Sequence, residues 1–303
     1  MGTPEFAVAS LDALVKAGCN IVGVITAPDK PAGRGMKMTE SAVKKYAVEH
    51  GLNILQPGKL KNPEFLTELR SLNAGLQIVV AFRMLPEAVW NMPPLGTINL
   101  HGSLLPQYRG AAPINWAVIN GEKETGVTTF KLKHEIDTGD ILLQKSFPID
   151  ENETAGEVHD KMKEIGAKVL VETVKGLAAC TLKEKPQTSN LKLQTLYHAP
   201  KIFTETCKID FTKTVAEVHN LIRGLSPFPG AFTMLNNKTL KIYRSEKEPS
   251  ANLSEGGALK PYLTDGRSYL KFACADGYIH VKELQLEGKK KMNVEEFLRG
   301  YRF

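Results

Sequence analysis

The sequence predicts an α/β protein whose first domain is built on a mostly parallel sheet and whose second domain is a small β-barrel. Through the first two-thirds of the 303 residues, short apolar segments rich in β-branched residues alternate with segments of helical spacing. Such alternation is typical of a parallel sheet with helices on both faces. Residues 181–207 lose this alternation, and beyond residue 209 one helix is followed by short, regularly spaced strands. Strands of that kind favour a small barrel.

Local patterns place the elements of the first domain. Apolar residues at helical spacing predict helices at residues 6–17, 39–50 and 113–120. Thr154 and Glu157 form a capping-box pattern, which predicts a helix that runs to about residue 179. Apolar, β-branched segments predict strands at residues 20–27, 76–82, 96–101, 126–133 and 141–149.

Composition shifts divide the chain. Polar residues and a proline-interrupted pattern predict a linker at residues 186–207, which leaves a first domain at 1–185 and a second domain at 208–303. In the second domain the same criteria predict a helix at 215–223 and strands at 230–235, 239–244, 268–274 and 278–286.

Overall composition excludes several classes of protein. Hydrophobic residues make up 42% of the chain, which is enough for a sizeable core. The longest apolar runs are too short to span a membrane, and no basic segment precedes an apolar one near Met1, so we expect neither a membrane anchor nor a signal peptide. The four cysteines stand far apart without a CxxC pair. This spacing argues against a zinc site or a disulfide framework and fits a reducing, cytoplasmic location.

The net charge of +6 is concentrated near the C-terminus. Residues 208–303 carry 16 Lys and Arg against 11 Asp and Glu, an excess of five, whereas residues 1–207 carry 23 against 22. A basic region indicates an anionic partner such as nucleic acid. A solvated lysine-rich surface explains the same charge without any partner.

Polar residues with catalytic potential follow the predicted strand at 96–101. Asn99 and His101 are two residues apart, so they point to the same side of that strand. Asp137 lies in the compact turn IDTGD between two further strands. An amide donor can stabilise an oxyanion, and an imidazole oriented by a carboxylate can move a proton, which together suit acyl transfer. Taken singly, each residue is explained as well by a turn or a satisfied polar group.

The motif Asn99–Pro106 (NLHGSLLP), followed by YRGAAP at 108–113 and DTGD at 137–140, resembles the formyltransferase family that uses 10-formyltetrahydrofolate. The resemblance extends over nearly the whole chain, through MGTPEFAV at the start, VITAPDKPAGRG at 24–35 and the β-rich end. It implies a Rossmann-like first domain and an oligonucleotide-binding-like barrel. It also implies a metal-free, monomeric enzyme of translation initiation that formylates the amino group of methionine carried on initiator tRNA.

The resemblance implies roles for individual residues. Asn99 and His101 would hold the oxyanion as the amine attacks the formyl carbon, and Asp137 would keep His101 protonated and pass protons towards N10 of the folate. Eight residues would bind the folate: Phe82, Arg83, Met84 and Leu85 in one loop, and Ser103, Leu104, Leu105 and Pro106 in another. For Met84 and Leu85, ordinary core packing is the alternative explanation.

A basic segment at residues 27–37 follows a buried strand. Its two prolines and two glycines predict an irregular loop, and three cations cluster there: Lys30, Arg34 and Lys37. The resemblance implies that this loop contacts the acceptor stem of tRNA, with Arg34 as the key residue. A solvated loop with incidental charge is the alternative.

The resemblance also bears on the start of the chain. Relatives in the family have another strand ahead of MGTPEF, so we expect a chain extended upstream of Met1 to be more stable, and equal thermal midpoints would contradict this.

The nearest alternative function is a related folate-dependent formyltransferase acting on a small amine such as a nucleotide sugar, since the N-x-H pair alone is shared with such enzymes. A non-catalytic RNA-binding protein with the same fold is a second alternative.

Overall fold

A computed structural model describes residues 1–32, 36–187, 195–250 and 262–302, without the side chains of Ala32 and Lys37. The chain divides into two compact units. The first consists of Met1–Arg109, Gly126–Phe147 and Asp160–Tyr197, and the second consists of Gly110–Thr125, Pro148–His159 and His198–Phe303.

The helices and strands have the following bounds. The helices are α1 (Glu5–Lys16), α2 (Ala42–Glu49), α3 (Pro63–Ser71), α4 (Glu87–Trp90), α5 (Pro113–Ile119), α6 (Ala155–Ala178), α7 (Val215–Gly224) and α8 (Val294–Gly300). The strands before α7 are β1 (Val24–Ile25), β2 (Lys30–Ala32), β3 (Lys37–Thr39), β4 (Ile54–Leu55), β5 (Gln77–Val79), β6 (Thr97–His101), β7 (Arg109–Gly110), β8 (Glu124–Lys131), β9 (Ile141–Pro148) and β10 (His198–Ala199). The strands after it are β11 (Ala231–Leu235), β12 (Lys238–Pro249), β13 (Tyr262–Thr264), β14 (Leu270–Cys274), β15 (Gly277–Leu286) and β16 (Met292–Asn293).

Side-chain caps begin several of the helices. Ser41 accepts a hydrogen bond from the backbone N–H of Lys44 at 3.0 Å and opens α2. The predicted capping box at α6 is confirmed, because Glu157 accepts from the Thr154 backbone N–H at 2.8 Å and Thr154 Oγ1 accepts from the Glu157 N–H at 3.3 Å. These local bonds satisfy backbone donors that the first turn of a helix leaves unpaired.

The first unit contains the predicted parallel sheet. β1 pairs with β4 and β5 pairs with β6, both in parallel, while β8 runs antiparallel to β6 and is bordered by β9. Gly2 donates to the Ile25 carbonyl at 3.1 Å, and the Val80 N–H donates to the Met1 carbonyl at 2.9 Å, so the first two residues lie between β1 and β5. A cavity of about 390 Å³ opens beside them, bordered by residues 20–25 and 72–78.

The second unit contains a curled antiparallel sheet, a half-barrel in the order β11, β12, β15, β14 and β13, with β16 also on β15. A register shift around Arg244 bends β12 against β15. Val218 and Ile222 of α7 share a fully buried core with Leu240 and Ile279 of the sheet. An α/β unit followed by this barrel-like sheet confirms the predicted fold class.

Several sequence-based predictions differ from the structure. The strand predicted at 20–27 reduces to β1 (Val24–Ile25), and the strand predicted at 76–82 reduces to β5 (Gln77–Val79). The prediction that residues 27–37 lack regular structure is wrong: β2 and β3 form an antiparallel pair, with Lys30 opposite Thr39 and Pro31 opposite Met38. Pro31 is tolerated because a short edge strand does not need every N–H.

The described residues include no helix long and apolar enough to cross a bilayer.

Candidate active site

Strand β6 carries the first two candidate residues. Ile98 and Leu100 are almost fully buried on one face, so alternation places Asn99 and His101 together on the opposite face. Asn99 is half-buried, in register with Val79 on β5, and none of the hydrogen bonds among the described residues uses its carboxamide. The two N–H donors of that carboxamide are therefore available to a bound molecule.

His101 and Asp137 meet although 36 residues of sequence separate them. His101 Nδ1 lies 3.8 Å from Asp137 Oδ2, and the two residues are 6% and 9% exposed. His101 Nε2 lies 3.0 Å from the Tyr108 carbonyl oxygen, which only accepts, so Nε2 carries a hydrogen. The edge of the ring faces the buried ring of Phe130, with 6.4 Å between centroids. The Nε2 N–H of His101 thus donates to a backbone carbonyl, while Nδ1 faces the Asp137 carboxylate.

The loop between β8 and β9, residues 132–140, holds Asp137 in a constrained conformation. Asp137 has φ +54°, a left-handed backbone that is uncommon outside glycine and marks local strain. The Lys131 N–H donates to the Asp140 carbonyl at 3.0 Å and closes the base of the loop. A Cβ on Gly139 would lie 1.5 Å from the Lys131 carbonyl oxygen. Only glycine therefore lets the loop lie this close to β8.

Buried contacts of Ser103 and Leu105 hold the segment 103–106 in place. Ser103 is fully buried and donates to the Gln107 carbonyl at 2.6 Å, and Leu105 packs in the core with Phe130 and Ile141. Leu104 and Pro106 are half-buried. The folate role predicted for Ser103 and Leu105 therefore depends on their backbone, while Leu104 and Pro106 retain side-chain surface.

The second predicted folate segment, residues 82–85, mixes core and surface. Leu85 is buried, and Phe82 packs against the same hydrophobic cluster. The burial of Leu85 agrees with the core-packing alternative. Met84, by contrast, is 74% exposed. Arg83 donates to the carbonyl oxygens of Gly58, at 2.9 Å, and of Pro57. Core packing thus explains Leu85 but not Met84.

Two of the three predicted tRNA-binding residues lie in the antiparallel pair of β2 and β3. Lys30 is exposed on β2, Lys37 is placed in β3 by its backbone alone, and Arg34 lies outside the described residues. The start of β2 is fixed by Asp29, which accepts from Lys44 and, at 2.8 Å, from Gln56 Nε2. The Lys44 ammonium and then the Gln56 amide hold the pKa of Asp29 below its usual value.

Several residues that support this site could not be identified from the sequence. Thr128, Tyr108 and Arg109 lie within or opposite quoted motifs but were given no role, and Gln187 fell in the predicted linker. Gln187 is 6% exposed and hydrogen-bonds to the Asp137 loop. Its position directly after Pro186 carries no signal of that contact, because the contact spans 50 residues.

Comparisons with known proteins identify the family. A model described as formyl transferase matches residues 1–174, and one described as formyl transferase, C-terminal domain, matches residues 201–302. The chain is 53% identical to the methionyl-tRNA formyltransferase of Bacteroides fragilis, over 99% of this chain and 94% of that protein. It is 56% identical to the enzyme of the same name from Phocaeicola vulgatus, over 100% of this chain and 94% of that protein.

Solved structures agree at the level of the fold. A sugar 3N-formyl transferase, WlaRD, superposes with a TM-score of 0.67 at 22% identity, over 95% of this chain and 97% of that one. An N-formyltransferase from Helicobacter canadensis gives a TM-score of 0.66 at 21% identity, over 96% and 97%. The prediction of a formyl-transferring enzyme is confirmed, and this chain belongs to the formyl transferase family.

Proposed function

We propose that this chain transfers the formyl group of 10-formyltetrahydrofolate to the amino group of methionine carried by initiator tRNA. The observation that carries the proposal is the buried His101–Asp137 pair at the carboxyl end of β6, beside the Asn99 carboxamide. Relatives named methionyl-tRNA formyltransferase, 49–56% identical over nearly the full chain, support the choice of acceptor.

Exposed apolar side chains of the first unit fit a reduced folate. A flat heteroaromatic ring needs apolar walls and a few backbone hydrogen bonds. Met84 is 74% exposed and Ile136, next to Asp137, is 62% exposed, so each presents a large apolar side chain to a ligand. The half-buried Leu104 and Pro106 add further apolar surface. When bound, the folate supplies an activated formyl carbon, and tetrahydrofolate is the leaving group.

Asn99 and His101 stabilise the charge that develops on the formyl oxygen. The carboxamide of Asn99 has two N–H donors that no described residue occupies, and it shares a strand face with His101. Donors fixed in advance on a rigid strand act strongly in a site that excludes water. When protonated, the His101 ring adds its own field to that of the amide.

Asp137 orients His101 and balances its charge. Its carboxylate lies 3.8 Å from Nδ1, too far for a hydrogen bond but close enough to attract the ring when the ring is protonated. A carboxylate near the attacking amine can also receive its proton, directly or through water. Asp137 is therefore the residue that we propose moves the proton from the amine towards the leaving nitrogen.

We assign tRNA binding to Lys30, Arg34 and Lys37 and to the basic C-terminal region. Met36, just before β3, is 69% exposed, and Met38, within β3, is 64% exposed, so an unpaired base could pack against either. In the C-terminal region, Lys291 already pairs with Glu283 at 2.5 Å and lies 5.0 Å from the Tyr243 ring centre. Its charge is therefore partly balanced within the protein.

A sugar acceptor is not favoured. The sugar formyltransferases resemble this chain at only about one-fifth identity, which establishes a common fold and nothing about the acceptor. A cytoplasmic location and a monomeric state complete the proposal.

The direct test is a formyl-transfer assay with the folate donor and four acceptors: charged initiator tRNA, charged elongator methionine tRNA, uncharged tRNA and an amino-sugar nucleotide. We expect N-formylmethionine, detected by mass spectrometry after deacylation, on charged initiator tRNA. His101→Ala should slow turnover by about 100- to 10,000-fold while tRNA affinity stays nearly unchanged, and exposed His50→Ala is the matched control. Formylation of the amino sugar without formylation of tRNA would overturn the proposal.

A further inference from the structure

We propose that Gln187 is a positioning residue that fixes Asp137 and Arg109 relative to each other. The proposal deepens the function given above, because it rests on Asp137 acting in formyl transfer. Gln187 lies outside every motif that identifies the family in this sequence, yet it is as buried as His101, at 6% exposed.

The carboxamide of Gln187 is fully used. Its Nε2 donates to the carbonyl oxygens of Asp137, at 3.0 Å, and of Gly139, at 2.7 Å. Its Oε1 accepts from Arg109 Nε at 3.2 Å and from Arg109 Nη2 at 2.6 Å. A primary amide offers two donors and two acceptor sites, so all four are satisfied. Such complete use is typical of a group that holds its neighbours in one arrangement.

The orientation of the amide is unambiguous. Exchanging Oε1 and Nε2 would place an acceptor against two carbonyl oxygens and a donor against a guanidinium that only donates. All four contacts would then be repulsive. Glutamate at this position would keep the Arg109 contact and lose both contacts to the loop, so glutamine is specifically required.

Backbone pairing brings Gln187 to this place. The Ile141 N–H donates to the Lys185 carbonyl at 2.8 Å, and the Lys185 N–H donates back to Ile141 at 2.9 Å. This two-bond bridge fixes the chain two residues before Gln187, directly beside the start of β9. The side chain of Gln187 then reaches back to the loop that precedes β9.

The loop needs this support because Asp137 adopts a left-handed backbone conformation. Without the two bonds from Nε2, the Asp137 and Gly139 carbonyls would each lose a donor in a buried site, and the loop would relax towards a less strained conformation. Asp137 Oδ2 would then leave its place 3.8 Å from His101. A shift of about 1 Å at a catalytic group is enough to cost about 100-fold in rate.

The same amide links the loop to the YRGAAP motif. Arg109 follows Tyr108, whose carbonyl accepts from His101, so Gln187 ties together the two chain segments that flank the imidazole. We therefore expect Arg109→Met and Gln187→Met to have non-additive effects on the rate.

The test compares Gln187→Met with Gln77→Met in the full chain. Gln77 is a matched control because it is also 6% exposed and hydrogen-bonded through its side chain. It begins β5 and is paired with Thr97, at the end of β6 opposite the site. We expect kcat of Gln187→Met to fall by about 10- to 100-fold, with KM for both substrates within about threefold of wild type. Gln187→Glu should not restore kcat. Gln77→Met should lower the thermal midpoint without this loss of kcat.

Amide hydrogen exchange gives a readout that does not depend on activity. Exchange in residues 132–140 should accelerate in Gln187→Met and not in Gln77→Met. Unchanged exchange in that loop, or wild-type kcat in Gln187→Met, would overturn the role of Gln187. Absence of formyl transfer by the wild-type protein would overturn the proposed function instead, and the exchange experiment would still decide whether Gln187 holds the loop.

Discussion

Thr128 connects the site to the core through one buried hydroxyl, and its replacement by Val is a sharp test of the packing beneath residues 103–106. Thr128 is fully buried, and its hydroxyl donates to the Ser103 carbonyl at 2.7 Å. It accepts from the Leu105 N–H at 3.1 Å and from Gln144 Nε2 at 2.9 Å. A hydroxyl has one donor and two acceptor sites, so the group is saturated.

The expected loss of stability follows from these three bonds. Valine has nearly the same shape, so Thr128→Val leaves the packing intact. It leaves the Ser103 carbonyl and the Leu105 N–H without the hydrogen bonds that the hydroxyl made to them. Gln144 Nε2 keeps a second acceptor, the Leu105 carbonyl at 2.9 Å. Each stranded buried group costs about 1–3 kcal/mol, and partial relaxation brings the expected total to about 2–4 kcal/mol.

Urea unfolding measures this loss directly, as a lower midpoint at an unchanged slope. Thr67→Val is the matched control, because Thr67 is exposed on α3 and donates to the Pro63 carbonyl at 3.0 Å. Its free energy of unfolding should change by less than about 0.5 kcal/mol. KM for the folate donor should rise in Thr128→Val, since the 103–106 backbone loses its anchor. If the two variants unfold at the same urea concentration, the hydroxyl does not support this segment.

Two other predictions concern glycine and histidine. Gly139→Ala places a Cβ 1.5 Å from the Lys131 carbonyl oxygen, so the loop must move and kcat should fall by about 100-fold. A Cβ on Gly58 has no atom within 4 Å, so the control Gly58→Ala should leave kcat unchanged. Equal kcat values in the two variants would contradict the tight packing at Gly139. Burial, followed by the charges of Lys247 and Arg223, lowers the pKa of His219 to about 4. His219 therefore takes up a proton near pH 6.5 in the unfolded chain but only near pH 4 in the folded protein. The free energy of unfolding should fall by roughly 2–3 kcal/mol as the pH drops from 6.5 to 4. His219→Gln should show a smaller fall in thermal midpoint over that range, and an equal fall would show that His219 is not buried in its neutral form.

Sequence patterns predicted the parts of the site that depend on local chemistry. The alternation of Asn99 and His101 with Ile98 and Leu100 follows from strand geometry alone, and the Thr154 cap follows from residue spacing. These features depend on atoms only a few residues apart, so a single sequence contains the information.

Other features depended on contacts between distant segments. No local pattern places Gln187 against a loop 50 residues earlier, because polar residues after a proline look the same in a linker and in an anchor. The pairing of β2 with β3 was missed for a related reason. Pro31 and the glycines that follow it favour a loop, whereas the pairing of Lys30 with Thr39 depends on residues nine positions apart.

A double-mutant cycle of single-turnover rates shows whether His101 and Asp137 work as one unit in formyl transfer. His101→Ala and Asp137→Ala should each slow transfer to methionyl initiator tRNA by about 100- to 10,000-fold. The double variant should be within about tenfold of the slower single variant, because residues that act together are not additive. A His101→Ala enzyme that transfers the formyl group at close to the wild-type rate would contradict the account.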